Sequence, residues 1–145
     1  MTSIAAHWQF WALLSALFAA LTAIFGKVGV QGINPDWATL IRTLVILSFV
    51  VAVVVVTRVE RPTGDVTSKT YSFLVLSGLA TGASWLCYFR ALTVGSASQV
   101  APVDKLSVVF VALLGVFVLG ESLSLWGWLG VALVAAGSIL LASTS

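Results

Sequence analysis

Apolar residues run along this chain in five long stretches, while polar residues are confined to short connectors and a few positions inside the runs. Crossing the roughly 30 Å hydrocarbon layer of a bilayer takes about 20 apolar residues, and a helix lets such a run satisfy its own backbone groups there. The pattern therefore predicts an all-α membrane protein with five transmembrane helices, over 8–30, 35–57, 71–94, 98–119 and 125–142. Five is odd, so the two ends of the chain are expected on opposite sides of the bilayer.

The connectors carry their own signals. Asn34, Pro35 and Asp36 combine a capping side chain, a preset φ and an acid in the first turn, which predicts the start of the second helix. The stretch 58–70 holds Arg58, Glu60, Arg61, Pro62, Gly64, Asp65 and Lys69 and reads as a solvated loop. Gly95, Ser96 and Ala97 form a tight link, as do residues 120–124, so the helices they join are expected to be antiparallel neighbours. Small residues mark faces where backbones approach closely in lipid. Ala12, Ala16, Ala20 and Ala23 share one side of the first helix, and Gly78 and Gly82 form a GxxxG in the third, with Trp85 above them. Both faces are expected to be buried, the GxxxG by internal packing or in a dimer.

Composition agrees with the pattern. Of the 145 residues, 60% are hydrophobic and only 8% charged, with a mean hydropathy of +1.12. A soluble domain carries about a quarter charged residues, so that class is excluded. The first apolar run is too long for a signal-peptide core and no Lys or Arg precedes it, so it is expected to stay in the mature protein. Cys87 stands alone in the third helix and reads as a small packing residue. His7 is read as marking a wet helix end and is given no role. Trp8, Trp11, Trp37, Trp126 and Trp128 lie near helix ends and read as an interfacial aromatic belt. Glu121, in the turn after the fourth helix, reads as an interfacial acid. No hydrolytic triad, metal cluster, phosphate loop or nucleic-acid surface stands out, so neither enzyme chemistry, a metal nor a cofactor is expected.

The charges inside the spans carry the functional reading. With the N-terminal side called A and the other side B, Lys27, Arg42, Arg90, Asp104 and Lys105 all fall roughly 4 to 11 Å inside the B-side helix ends at 1.5 Å per residue. An ionisable residue there costs on the order of 2 to 3 kcal/mol, so it normally faces the bundle interior, a partner or a water-filled cavity. Lys27 and Arg90 are open to two readings, snorkelling to the interface or function. Arg42 cannot deprotonate and Asp104 is too short to snorkel far, which favours pairing or function for those two. Pro102 removes a helix donor just before Asp104, predicting a kink or a loose start at membrane depth. Asp104 is expected to bridge Arg42 or Arg90, and Lys105 to serve a different neighbour. Trp85, Tyr88 and Phe89 stand within two turns of Arg90, placed either to wall a charged layer or simply to pack. The surplus of positive charge favours a substrate with a carboxylate or phosphate.

The stretch Gly78-Leu-Ala-Thr-Gly-Ala-Ser-Trp-Leu-Cys-Tyr-Phe-Arg-Ala-Leu92, then Ala97-Ser-Gln-Val-Ala-Pro-Val-Asp-Lys-Leu106, then the Leu119-Gly-Glu-Ser-Leu123 turn resembles the EamA domain of the drug/metabolite transporter superfamily. The resemblance covers all five spans, residues 1–145 reading as one such domain. Most members carry two domains in tandem, ten helices in all. It implies that this chain is one half of a ten-helix inverted-repeat transporter, completed by an antiparallel homodimer in the cell (inner) membrane. Three cations on side A (Arg58, Arg61, Lys69) against three on side B (Lys27, Arg90, Lys105), with Arg42 set aside as deepest, give no firm orientation, and dual topology is expected. The related small multidrug resistance proteins use a glutamate in the first helix for cationic drugs. This chain has no carboxylate there, so export of cationic drugs by that route is not expected, and any proton coupling falls to Asp104.

The expected function is secondary transport of a small anionic or zwitterionic metabolite by alternating access, with Lys27, Arg42, Trp85, Tyr88, Arg90, Asp104 and Lys105 as candidate substrate-binding or coupling residues. The competing reading is a non-transporting scaffold or accessory subunit whose charges form a structural salt-bridge network. A channel is disfavoured because no polar stripe runs the full length of any helix.

Overall fold

A computed structural model of the chain describes residues 7–60 and 66–143. It contains α1 (Trp8–Gly29), α2 (Pro35–Val56), α3 (Ser68–Val94), α4 (Ala97–Asp104), α5 (Ser107–Leu119) and α6 (Leu125–Ser143). Five segments are long and apolar enough to span, with α4 and α5 together forming the fourth, Ala97–Leu119. The helices lie where the apolar runs predict, except that α3 starts three residues early. Arg61, Pro62, Gly64 and Asp65 of the predicted aqueous connector lie outside the described residues.

Local chemistry explains the helix ends. The Asn34 side chain accepts the Asp36 N–H at 2.8 Å, and Pro35 supplies the first helical position of α2. At the other end of α2, Arg58 takes a φ of +50°, and Val59 N–H reaches back to the Val54 carbonyl at 3.3 Å. Gln99 Oε1 accepts both the N–H of Ser96 at 3.1 Å and its hydroxyl at 2.9 Å, tying down the start of α4. Gly120, at φ +71°, lets Glu121 N–H close on the Gly115 carbonyl at 3.0 Å and stops α5.

The kink predicted at Pro102 appears as a break just downstream. Lys105 N–H is shared between the Ala101 and Pro102 carbonyls at 3.2 and 3.1 Å, and Leu106, Val108 and Val109 then bond three residues back instead of four. Proline cannot donate to the carbonyl one turn earlier, and the ladder tightens before α5 resumes.

The chain divides into two compact units, one made of residues 7–28 with 94–143, the other of residues 29–93. In the first, α6 packs on α4 and α5. In the second, α2 and α3 carry the buried residues Ala38, Thr39, Phe89 and Leu92. Most apolar side chains are exposed, as expected where lipid tails solvate them as well as protein does. Trp8, Trp11, Trp37 and Trp126 are exposed near helix ends, in keeping with the belt, whereas Trp128 is half-buried.

Three expectations are corrected. Of the four alanines on α1, only Ala23 is buried. The GxxxG of α3 is not filled by packing within its own unit, where a Cβ added at Gly78 or Gly82 would meet nothing within 4 Å. Cys87 is exposed rather than packed. In each case the face lies beyond the reach of its own unit's few tertiary contacts.

Candidate functional site

In the second unit, α2 and α3 form a two-rung ladder. At the outer rung, Arg90 Nη2 donates to both Asp36 oxygens at 3.0 Å. At the inner rung, the Arg42 guanidinium carbon lies over the Trp85 ring, 4.2 Å from its centroid, and 5.3 Å from that of Phe89. As the position rises on α2 from 36 to 42 it falls on α3 from 90 to 85, the relationship of antiparallel neighbours.

Each rung has a distinct electrostatic character. Arg90 and Asp36 are a compensated pair, with side chains 60% and 50% exposed. Arg42 is half-buried, eight residues into α2 and so about 10 Å from its start. Among the described residues of its own unit it forms no ion pair with a carboxylate. Two aromatic faces offset its charge, each worth about 0.5 to 2 kcal/mol against an insertion cost on the order of 2 to 3 kcal/mol. Phe89 is 3% exposed and meets the half-buried Tyr88 edge-on at a centroid distance of 6.4 Å, which steadies this wall. An open depression lined by Asn34, Asp36, Trp37 and Leu40 adjoins the outer rung.

In the first unit, Lys27 Nζ donates to the Gly95 carbonyl at 2.7 Å, tying the end of α1 to the link before α4. A cation is well placed on a carbonyl that follows a helix C-terminus. Asp104 and Lys105 meet at 3.5 Å at the α4–α5 break. The Glu121 carboxylate folds back along α5, so that a Cβ at Gly115 would lie 2.7 Å from Glu121 Oε2.

The predicted site residues thus divide between the units: Arg42, Trp85, Tyr88 and Arg90 in one, Lys27, Asp104 and Lys105 in the other. Within its own unit Arg90 is taken by Asp36 on the facing helix, and within the other Asp104 meets the next residue, Lys105, for which a different neighbour was expected. Asp36 was read only as a helix-start acid. The signal for its second role is that it lies at the start of α2 and Arg90 near the end of α3, which antiparallel packing places on the same side.

The model of the EamA-like transporter family matches residues 6–143. The chain belongs to that family. An uncharacterized transporter in the cobO 3'region of a Sinorhizobium species is 62% identical over 135 residues, covering 93% of this chain and 96% of the relative. No solved structure matches the chain. As an EamA-family member with five spanning segments, the protein is a multi-pass membrane transporter and not an enzyme. The stretches that carry the EamA resemblance fall on the second half of α3, on α4 with its break, and on the turn where Glu121 folds over Gly115.

Proposed function

We propose that this transporter is a secondary carrier of a small anionic or zwitterionic metabolite, working by alternating access as an antiparallel homodimer in the cell inner membrane. The observation that carries this reading is Arg42, a permanent cation about two turns inside α2 that rests on Trp85 and Phe89 without an acid partner among the described residues. A charge with only a structural task is normally compensated, as Arg90 is by Asp36. The break between α4 and α5, next to Asp104, supports a wet pathway, since irregular backbone at membrane depth is tolerated where it lines a cavity. The open face at Gly78 and Gly82 supports close approach of a second copy. An odd number of spans makes an antiparallel pair the counterpart of an inverted repeat.

The scaffold reading draws on the Asp36–Arg90 pair and the Lys27–Gly95 bond, both of which hold elements together. Flux separates the two. In vesicles reconstituted with purified protein, radiolabelled small organic and amino acids are expected to enter by a saturable route that Arg42→Met abolishes while the protein still folds. Loss of folded protein without any protein-dependent flux in the wild type would favour the scaffold.

A further inference from the structure

The outer rung of the α2–α3 ladder is neutral, and the inner rung is not. Arg90 has its carboxylate, held at 3.0 Å by a single nitrogen. Arg42 instead lies over Trp85 and Phe89, at 4.2 and 5.3 Å from the ring centroids. A ring face attracts the charge of a guanidinium but does not use its planar fork of N–H donors as a carboxylate does. Among the described residues of its own unit no carboxylate forms an ion pair with Arg42.

From this geometry we infer that Arg42 is the anchor for a carboxylate on the substrate, with Trp85 flanking the organic body attached to it, so that the substrate class is a small monocarboxylate with an apolar or planar body. The inference rests on the transporter reading and narrows it. A carboxylate matches the fork in shape and can take two N–H bonds at once. It also matches the charge, because one anion cancels the one uncompensated cation of the rung. A phosphate dianion would bring a second negative charge that Arg90, already paired with Asp36, does not meet. An organic cation would face like charge. The aromatic wall adds a preference for a substrate body that stacks or packs on an indole.

The test uses the full chain in lipid nanodiscs with four probes: benzoate, acetate, inorganic phosphate and tetraphenylphosphonium. Phenylglyoxal labelling of Arg42, followed by mass spectrometry, reads occupancy on the unmodified protein. Benzoate at twice its dissociation constant is expected to slow labelling of Arg42 about threefold, and to leave Arg58 unaffected. It is also expected to raise the unfolding midpoint, an effect lost in Arg42→Gln and weakened in Arg42→Lys. Trp85→Leu is expected to weaken benzoate more than acetate. Absence of benzoate protection at Arg42, equal protection by phosphate, or benzoate stabilisation that survives in Arg42→Gln overturns the inference. Protein-dependent vesicle flux of phosphate or tetraphenylphosphonium, with no protection by benzoate, overturns the carboxylate anchor and leaves the transporter reading standing. Protection by benzoate with no flux of any probe upholds the carboxylate anchor, with benzoate as a bound ligand that is not carried.

Discussion

Arg90 and Asp36, 54 residues apart in the chain, meet through one guanidinium nitrogen that lies 3.0 Å from each carboxylate oxygen. Asp36 sits in the first turn of α2, and Arg90 lies four residues before the end of α3. Asp36 therefore complements the dipole of its own helix as well as the charge of Arg90. The pair neutralises the outer rung and makes the bare cation of the inner rung stand apart.

The energetic weight of this pair is expected to be modest. Both side chains are half-exposed, and exposed ion pairs contribute about 0.2 to 1 kcal/mol. A double-mutant cycle with Asp36→Asn and Arg90→Gln, followed by unfolding in mild detergent, is expected to give a coupling energy in that range. A coupling of several kcal/mol would mean that the pair is a principal structural tie.

Arg42 is expected to behave in the opposite way to a structural charge. Its insertion cost, on the order of 2 to 3 kcal/mol, is offset by two aromatic faces worth about 0.5 to 2 kcal/mol each. Arg42→Met is thus expected to leave stability within about 1 kcal/mol of wild type, or to raise it, while abolishing flux. A stability loss above about 3 kcal/mol, the scale of breaking a buried pair, would move Arg42 to the scaffold reading.

Two glycines at one helix end should respond differently. Gly120 has a φ of +71°, where a side chain costs about 1 to 2 kcal/mol, so Gly120→Val is expected to lower stability by at least that amount. Gly115→Ala would bring a Cβ to 2.7 Å from Glu121 Oε2, the mobile tip of a side chain that can swing away. Although Gly115 is buried, only that flexible tip has to move, so the expected cost is smaller than that of Gly120→Val, and thermal unfolding of the two variants checks the contrast.

The open GxxxG face carries the dimer prediction. Gly82→Leu places a bulky side chain where an added Cβ meets nothing in the same chain, so folding is expected to be unaffected. Dimerisation in nanodiscs, read by fluorescence transfer between labelled copies, is expected to weaken at least about tenfold, equivalent to 1.4 kcal/mol. Unchanged association would place any dimer contact elsewhere.

Pro102→Ala restores an amide donor toward the Ser98 carbonyl. The fourth span is expected to become more continuous and the protein more stable by on the order of 1 kcal/mol, the net value of one hydrogen bond. Hydrogen exchange at Leu106 and Val108 should slow. If the break serves transport, flux falls although stability rises.

Much of the fold was legible because the deciding signals are local. Run length set the five spans, and Asn34-Pro35-Asp36 capped α2 as its chemistry requires. Pro102 announced a disturbance in the fourth span, although the break itself falls at Lys105 and Leu106, where the ladder changes spacing. The site was only half legible. Arg42, Trp85 and Phe89 were singled out and do come together, whereas Asp36, read only as a helix-start acid, is the partner of Arg90.

The amino-acid sequence by itself determined how many times the chain can cross a bilayer, where α2 begins, and which charges must be accounted for inside it. Those depend on the apolar length of a segment and on neighbours a few residues away. Only the tertiary structure decided which charge meets which partner: Arg90 with Asp36, Lys27 with Gly95, Arg42 with two rings. Such pairings depend on which faces of helices tens of residues apart are brought together. In lipid, where apolar faces have little preference among neighbours, hydropathy alone does not select those faces.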